Sequence, residues 1–81
     1  MNVDMQKADA VRNILADILE IEPVELTDEG SFIGQYGADS LRAVEILATL
    51  EKKFSVKIPE SELPNMSNLK NVLLVLARRG W

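Results

Sequence analysis

The chain has 81 residues, no cysteine, no histidine and a formal net charge of −4. That length suits one domain near the lower limit for burying a self-sufficient core, held by helix packing because no disulfide can form. Ser-His and Cys-His nucleophiles are excluded, a zinc site would have carboxylates alone, and the acidic balance argues against nucleic acid as a partner.

Ala8, Val11, Ile14, Leu15 and Ile18 share one face at helical spacing, which predicts a first helix over residues 4–21. Pro23 restricts Glu22 and is expected to set its end. The connection from Glu22 to Asp39 is longer than compact domains normally use, and such loops are usually functional or disordered. Val24, Leu26, Phe32, Ile33 and Tyr36 are expected to pin it to the body, with Gly30, Gly34 and Gly37 permitting tight bends. Asp17, Glu20, Glu22, Glu25, Asp28 and Glu29 run through this region with no Lys or Arg among them, as a solvated face or a surface that steers basic partners.

A second helix is predicted over residues 40–54, capped by Asp39 or Ser40, with Lys52 and Lys53 suiting its C-terminal dipole. After a short β-branched segment, residues 60–63 read as one turn before Pro64. The last helix is expected to begin at Ser67 as cap and to bury Leu69, Val72, Leu73 and Leu76. Arg78 and Arg79 complement its end, Gly80 terminates it, and Trp81 is read as a simple chain end. The fold class is all-α: a small four-helix bundle, three longer helices and one short third helix, with the long loop between the first two, all in one domain over residues 1–81. No basic start precedes an apolar run, and no apolar stretch approaches the ~20 residues that span a bilayer. A cytoplasmic protein without membrane contact is expected.

Within the second helix, stepping about 100° per residue gathers Ala43, Ile46, Leu47, Leu50 and Phe54 on the core side. Leu41, Val44 and Ala48 land nearly opposite, flanked by Arg42, Glu45 and Lys52. An apolar strip with a charged rim suits transient docking of a protein partner. Packing of Leu41 and Val44 against the long loop is the alternative. Ser40 opens the strip, and its one titratable neighbour, Asp39, is too weak a base to activate a nucleophile near neutral pH.

The stretch Gly37-Ala38-Asp39-Ser40-Leu41 resembles the modification site of acyl carrier proteins. The likeness continues through the apolar pair Phe32 and Ile33, then Val44-Glu45-Ile46, Leu50-Glu51, Phe54 and Ile58-Pro59 before a short acidic segment. The resemblance implies a four-helix bundle with a short third helix, and a non-catalytic carrier with 4′-phosphopantetheine joined to the Ser40 hydroxyl. The arm's thiol would hold acyl groups as thioesters, and Asp39 would assist recognition by a phosphopantetheinyl transferase. A helix N-terminus is a favourable place for the arm's anionic phosphate. Leu41, Arg42, Val44, Glu45, Ala48 and Lys52 would form the surface read by acyl-loading, condensing and modifying enzymes. Ser40→Ala would then abolish modification at a capping cost of about 1 kcal/mol.

Carriers of primary fatty-acid synthesis usually have an acidic residue after the Ser-Leu and a strongly acidic second helix. Here Arg42, Lys52 and Lys53 accompany only Glu45 and Glu51, which points to a polyketide or hybrid peptide–polyketide pathway. A primary fatty-acid carrier stays open as an alternative. Peptidyl carriers more often show Gly-Gly ahead of the serine, so Gly37-Ala38-Asp39 favours acyl cargo without excluding an aminoacyl one. A freestanding monomer is expected. The non-carrier alternative is a structural helical domain that docks through Leu41 and Val44, with Ser40 as a cap alone.

Overall fold

Val11, Leu15, Ile18 and Leu19 recur at helical spacing and are buried, and their apolar stripe makes α1 (Val3–Leu19) an amphipathic helix. The computed structural model describes residues 3–79, with side chains from residue 6 onward; the expectations for Gly80 and Trp81 lie outside the described residues. α1 stops two residues short of its predicted end. Glu20 turns left-handed (φ 63°), its N–H donates to the Asp17 carbonyl (3.2 Å), and the Ile21 N–H donates to the Ala16 carbonyl (3.0 Å). This closure satisfies two of the last carbonyls of α1. Pro23 therefore does not end the helix; it opens a short 3-10 turn (Pro23–Glu25), where its missing N–H costs nothing.

The segment from Glu22 to Asp39 is more structured than a bare loop. Leu26 and Phe32 are buried as expected, but Val24 and Ile33 are 88% and 65% exposed and do not pin it. Phe32 and Ile33 begin a five-residue helix, α2 (Phe32–Tyr36), and adjacent helical residues point about 100° apart, so only one reaches the core. The Ser31 hydroxyl caps α2 by accepting from the Gly34 N–H (3.1 Å), and Gly37 ends it at φ 72°. Tyr36 is a polar anchor: its hydroxyl donates to the Glu25 carbonyl (3.0 Å) and accepts from the Thr27 N–H (2.9 Å). A Cβ on Gly30 would come within 2.6 Å of the Thr27 hydroxyl and 2.8 Å of the Tyr36 hydroxyl, so a larger residue here would have to displace them. Two backbone bonds stitch the segment to the far end of the chain: Phe32 N–H to the Ser67 carbonyl (2.9 Å), and Lys70 N–H to the Asp28 carbonyl (2.9 Å).

α3 (Ser40–Phe54) packs on α1 and buries Ile46, Leu47 and Leu50, with Phe54 half-buried. The short third helix is a 3-10 helix (Glu60–Asn65) that runs through Pro64 instead of stopping before it. Proline's fixed φ is compatible with 3-10 geometry. α4 (Leu69–Arg78) is capped by Asn68, whose side chain accepts from the Asn71 N–H (2.8 Å); Ser67, the predicted cap, instead gives its carbonyl to Phe32. Leu69, Val72, Val75 and Leu76 are buried, and Leu73 is only partly so. The core lies between α1, α3 and α4, closed by Leu26, Phe32, Ile58 and Met66. Among the described residues there is no strand, and the architecture is the all-α bundle expected. Among the described residues no helix is long and apolar enough to cross a membrane.

Arg78 and Arg79 do more than complement a dipole. They converge on the nearly buried Glu62, Arg78 on Oε1 (3.0 Å) and Arg79 on Oε2 (3.2 Å), and so clamp the 3-10 helix to the end of α4. The Asn65 amide that donates to Oε1 (3.0 Å), then the two arginine charges, hold this carboxyl below its ordinary value, while burial pulls the other way. A carboxyl that ionises lower in the folded state adds stability above the unfolded value of about 4.5, and loses it as pH falls through the lower folded value. Thermal midpoints should therefore drop more steeply below about pH 4.5 in the wild type than in Glu62→Gln, which cannot titrate there. Equal acid sensitivity of the two proteins would contradict the clamp.

Candidate functional site

Ser40 is the first residue of α3 and is exposed. The cap belongs to Asp39, which is extended (φ −106°) and accepts the Arg42 N–H on Oδ1 (3.0 Å). This resolves the choice between the two residues and leaves the Ser40 hydroxyl free of capping duty. The chain enters the corner through Gly37, left-handed, and Ala38, which is buried and donates its N–H to the Phe32 carbonyl (2.9 Å). A serine is thus held at a fixed exposed corner between a bent, anchored segment and a helix start. The Ser40 and Leu41 N–H groups belong to the first turn and have no intrahelical acceptor. An anionic phosphodiester on the Ser40 oxygen fits there, since the helix dipole favours negative charge and the Asp39 carboxylate is engaged in the cap.

Leu41 is 77% exposed and does not pack on the loop, and Val44 is 42% exposed. Ala48, Glu45 and Lys52 are exposed as well. Helical spacing puts Leu41, Glu45, Ala48 and Lys52 along one outward line that leads away from Ser40. Arg42 departs from the strip. Its guanidinium turns to the Ile18 carbonyl and to the Glu20 carboxylate (3.2 Å), at the C-terminus of α1. Glu51 is likewise turned inward, accepting the Ile58 N–H (2.7 Å). The charges left along the strip are Glu45 near the serine and Lys52 two turns on.

The acidic run is partly neutralised from distant positions: Asp28 pairs with Arg12 (3.1 Å), Glu20 with Arg42, and Glu29 lies 3.8 Å from Lys70. Sequence reasoning missed these partners, as it missed Glu62, because none is near in sequence. It also missed an apolar notch of about 130 Å³ beside the start of α3, lined by Phe32, Ile33, Ala38, Ala43, Leu63 and Met66. That volume is well below the ~300–1,000 Å³ of sites that enclose a drug-sized ligand. Ile33, expected to pin the connection to the body, is one wall of this notch.

The family described as "Phosphopantetheine attachment site" matches residues 9–75, from α1 into α4. Over 75 residues the chain is 43% identical to polyketide-8 synthase acyl carrier protein 1 of Streptomyces avermitilis, covering 93% of this chain and 89% of that protein. It is 33% identical over 69 residues to polyketide-8 synthase acyl carrier protein 2 of the same organism (85% and 79% covered). An acyl carrier protein of Clostridium acetobutylicum is 40% identical over 63 residues, covering 78% of this chain and 82% of the relative. These likenesses span the helices that build the serine corner, and the chain belongs to the acyl carrier proteins, the family that bears 4′-phosphopantetheine.

Proposed function

We propose that Ser40 carries the phosphopantetheine arm and that the protein shuttles acyl thioesters between enzymes of a polyketide pathway. The observation that carries this reading is the exposed Ser40 hydroxyl at the first turn of α3, with the cap delegated to Asp39. Attachment asks for no activating base at this corner, because the transferase supplies the chemistry. The polyketide assignment is supported by the likeness to the two Streptomyces polyketide synthase carriers and by the balanced charge of the strip, one Glu45 against one Lys52. Partner enzymes dock on Leu41, Val44, Glu45, Ala48 and Lys52, an apolar centre with charges that orient the approach. Asp39 holds the serine's turn while the transferase reads it, and one chain acts as a cytoplasmic monomer.

Intact-mass spectrometry after incubation with coenzyme A, Mg²⁺ and a broad-specificity phosphopantetheinyl transferase tests the attachment. One phosphopantetheine per chain is expected, with peptide mapping locating it on Ser40. The loaded carrier, given fatty-acid elongation enzymes and malonyl donors, should complete reductive cycles far more slowly than a fatty-acid carrier does. Matching rates would overturn the polyketide reading and leave the carrier reading intact.

A further inference from the structure

We infer that Arg42 is a positioning residue for the modification corner, tying the first turn of α3 to the end of α1 so that Ser40 is presented in one geometry. This rests on the reading that Ser40 is the attachment site. The closure of α1 uses the carbonyls of Ala16 and Asp17, and the Arg42 guanidinium takes the carbonyl of Ile18 while pairing with Glu20. The same residue's backbone N–H donates to the capping Asp39 carboxylate (3.0 Å). Arg42 is therefore fixed at both ends, two residues beyond the serine. On a helix it points about 200° round from Ser40, so it acts through the backbone and not by touching the arm.

A matched internal control exists. Arg12 makes the same kind of bridge elsewhere, to the Leu26 carbonyl and the Asp28 carboxylate (3.1 Å), with similar side-chain exposure: 29% against 37% for Arg42. Loss of either brace weakens the fold, but a modest loss of global stability leaves nearly every molecule native. Fraying of the α3 start is different. It lowers the fraction of carrier whose serine is presented, and apparent affinity falls by that fraction.

The experiment is steady-state phosphopantetheinylation by the broad-specificity transferase at saturating coenzyme A, with carrier concentration varied and folding checked by circular dichroism. Arg42→Ala should raise the KM for carrier about five-fold and leave kcat within about two-fold, while Arg12→Ala leaves both near wild type. Arg42→Lys keeps the charge but lacks the fork that reaches carbonyl and carboxylate together, and should fall between. Glu20→Ala separates positioning from direct contact with the transferase. Positioning requires its KM to rise, whereas a direct contact would be freed by the change, and KM would hold or fall. Equal effects of Arg42→Ala and Arg12→Ala, or a KM that does not rise in Glu20→Ala, would overturn the inference alone. Should Arg42→Ala fail to fold, Arg42→Lys and Glu20→Ala carry the same comparison. A wild type that accepts no arm would overturn the carrier reading itself.

Discussion

A Ser40→Ala protein should stay at its starting mass through an incubation that adds one phosphopantetheine to the wild type, and should unfold at almost the same temperature. The first half follows from the missing oxygen, since a methyl group cannot form the phosphodiester. The second half follows from the cap. From the sequence, a loss of about 1 kcal/mol was expected at Ser40, but the side chain that accepts the Arg42 N–H is Asp39. The capping cost moves with it: Asp39→Ala should lose about 1 kcal/mol, which lowers the thermal midpoint of a domain this size by roughly 4–8 °C. The two variants separate chemistry from stability at adjacent positions. A large destabilisation in Ser40→Ala would mean that its hydroxyl has a structural role beyond the Asp39 cap.

Leu26→Ala should be among the most damaging single changes, although Leu26 lies in the long connection between α1 and α3. The side chain is 1% exposed and belongs to the same buried cluster as Leu15, Leu50 and Leu76. Truncating a buried leucine costs about 2–5 kcal/mol through lost transfer energy and the cavity left behind. A domain of this length has roughly 4–12 kcal/mol in total. Urea denaturation should show a large fall in midpoint at unchanged slope for Leu26→Ala. Val24→Ala, two residues earlier but 88% exposed, should change stability by less than about 0.5 kcal/mol. Similar small effects at both positions would mean that the connection is not part of the cooperative core.

Those two residues also mark the limit of what could be read in advance. The faces of α1, α3 and α4 were legible because helical burial repeats at a local spacing, and Val11, Leu15, Ile46, Leu50 and Val72 obeyed it. Between Glu22 and Asp39 there is no such period. A three-residue turn and a five-residue helix are too short to declare a face, so Val24 and Ile33 looked as good as Leu26 and Phe32. The cap of α4 shifted from Ser67 to Asn68: both are competent caps, and it is the Asn68 side chain that accepts the Asn71 N–H. Arg42 and Glu62 failed for another reason. Their charged partners lie well over ten residues away, and charge pairing across a fold leaves no mark on local sequence. The motif around Ser40 is contiguous and so marks a candidate site in the sequence, whereas the contacts of Arg42 to Ile18 and Glu20 leave no such mark.

The stitching of the connection to the start of α4 uses main-chain atoms at all four ends, through Phe32, Ser67, Lys70 and Asp28. Side chains at these positions take no part in those two bonds, so replacing any of them, proline apart, leaves the seam able to form. Around a corner held in this way, outward residues such as Glu29 and Ile33 can change without touching either bond. A lineage could thus vary the outward face of this connection, residue by residue, without moving the Ser40 corner that it supports.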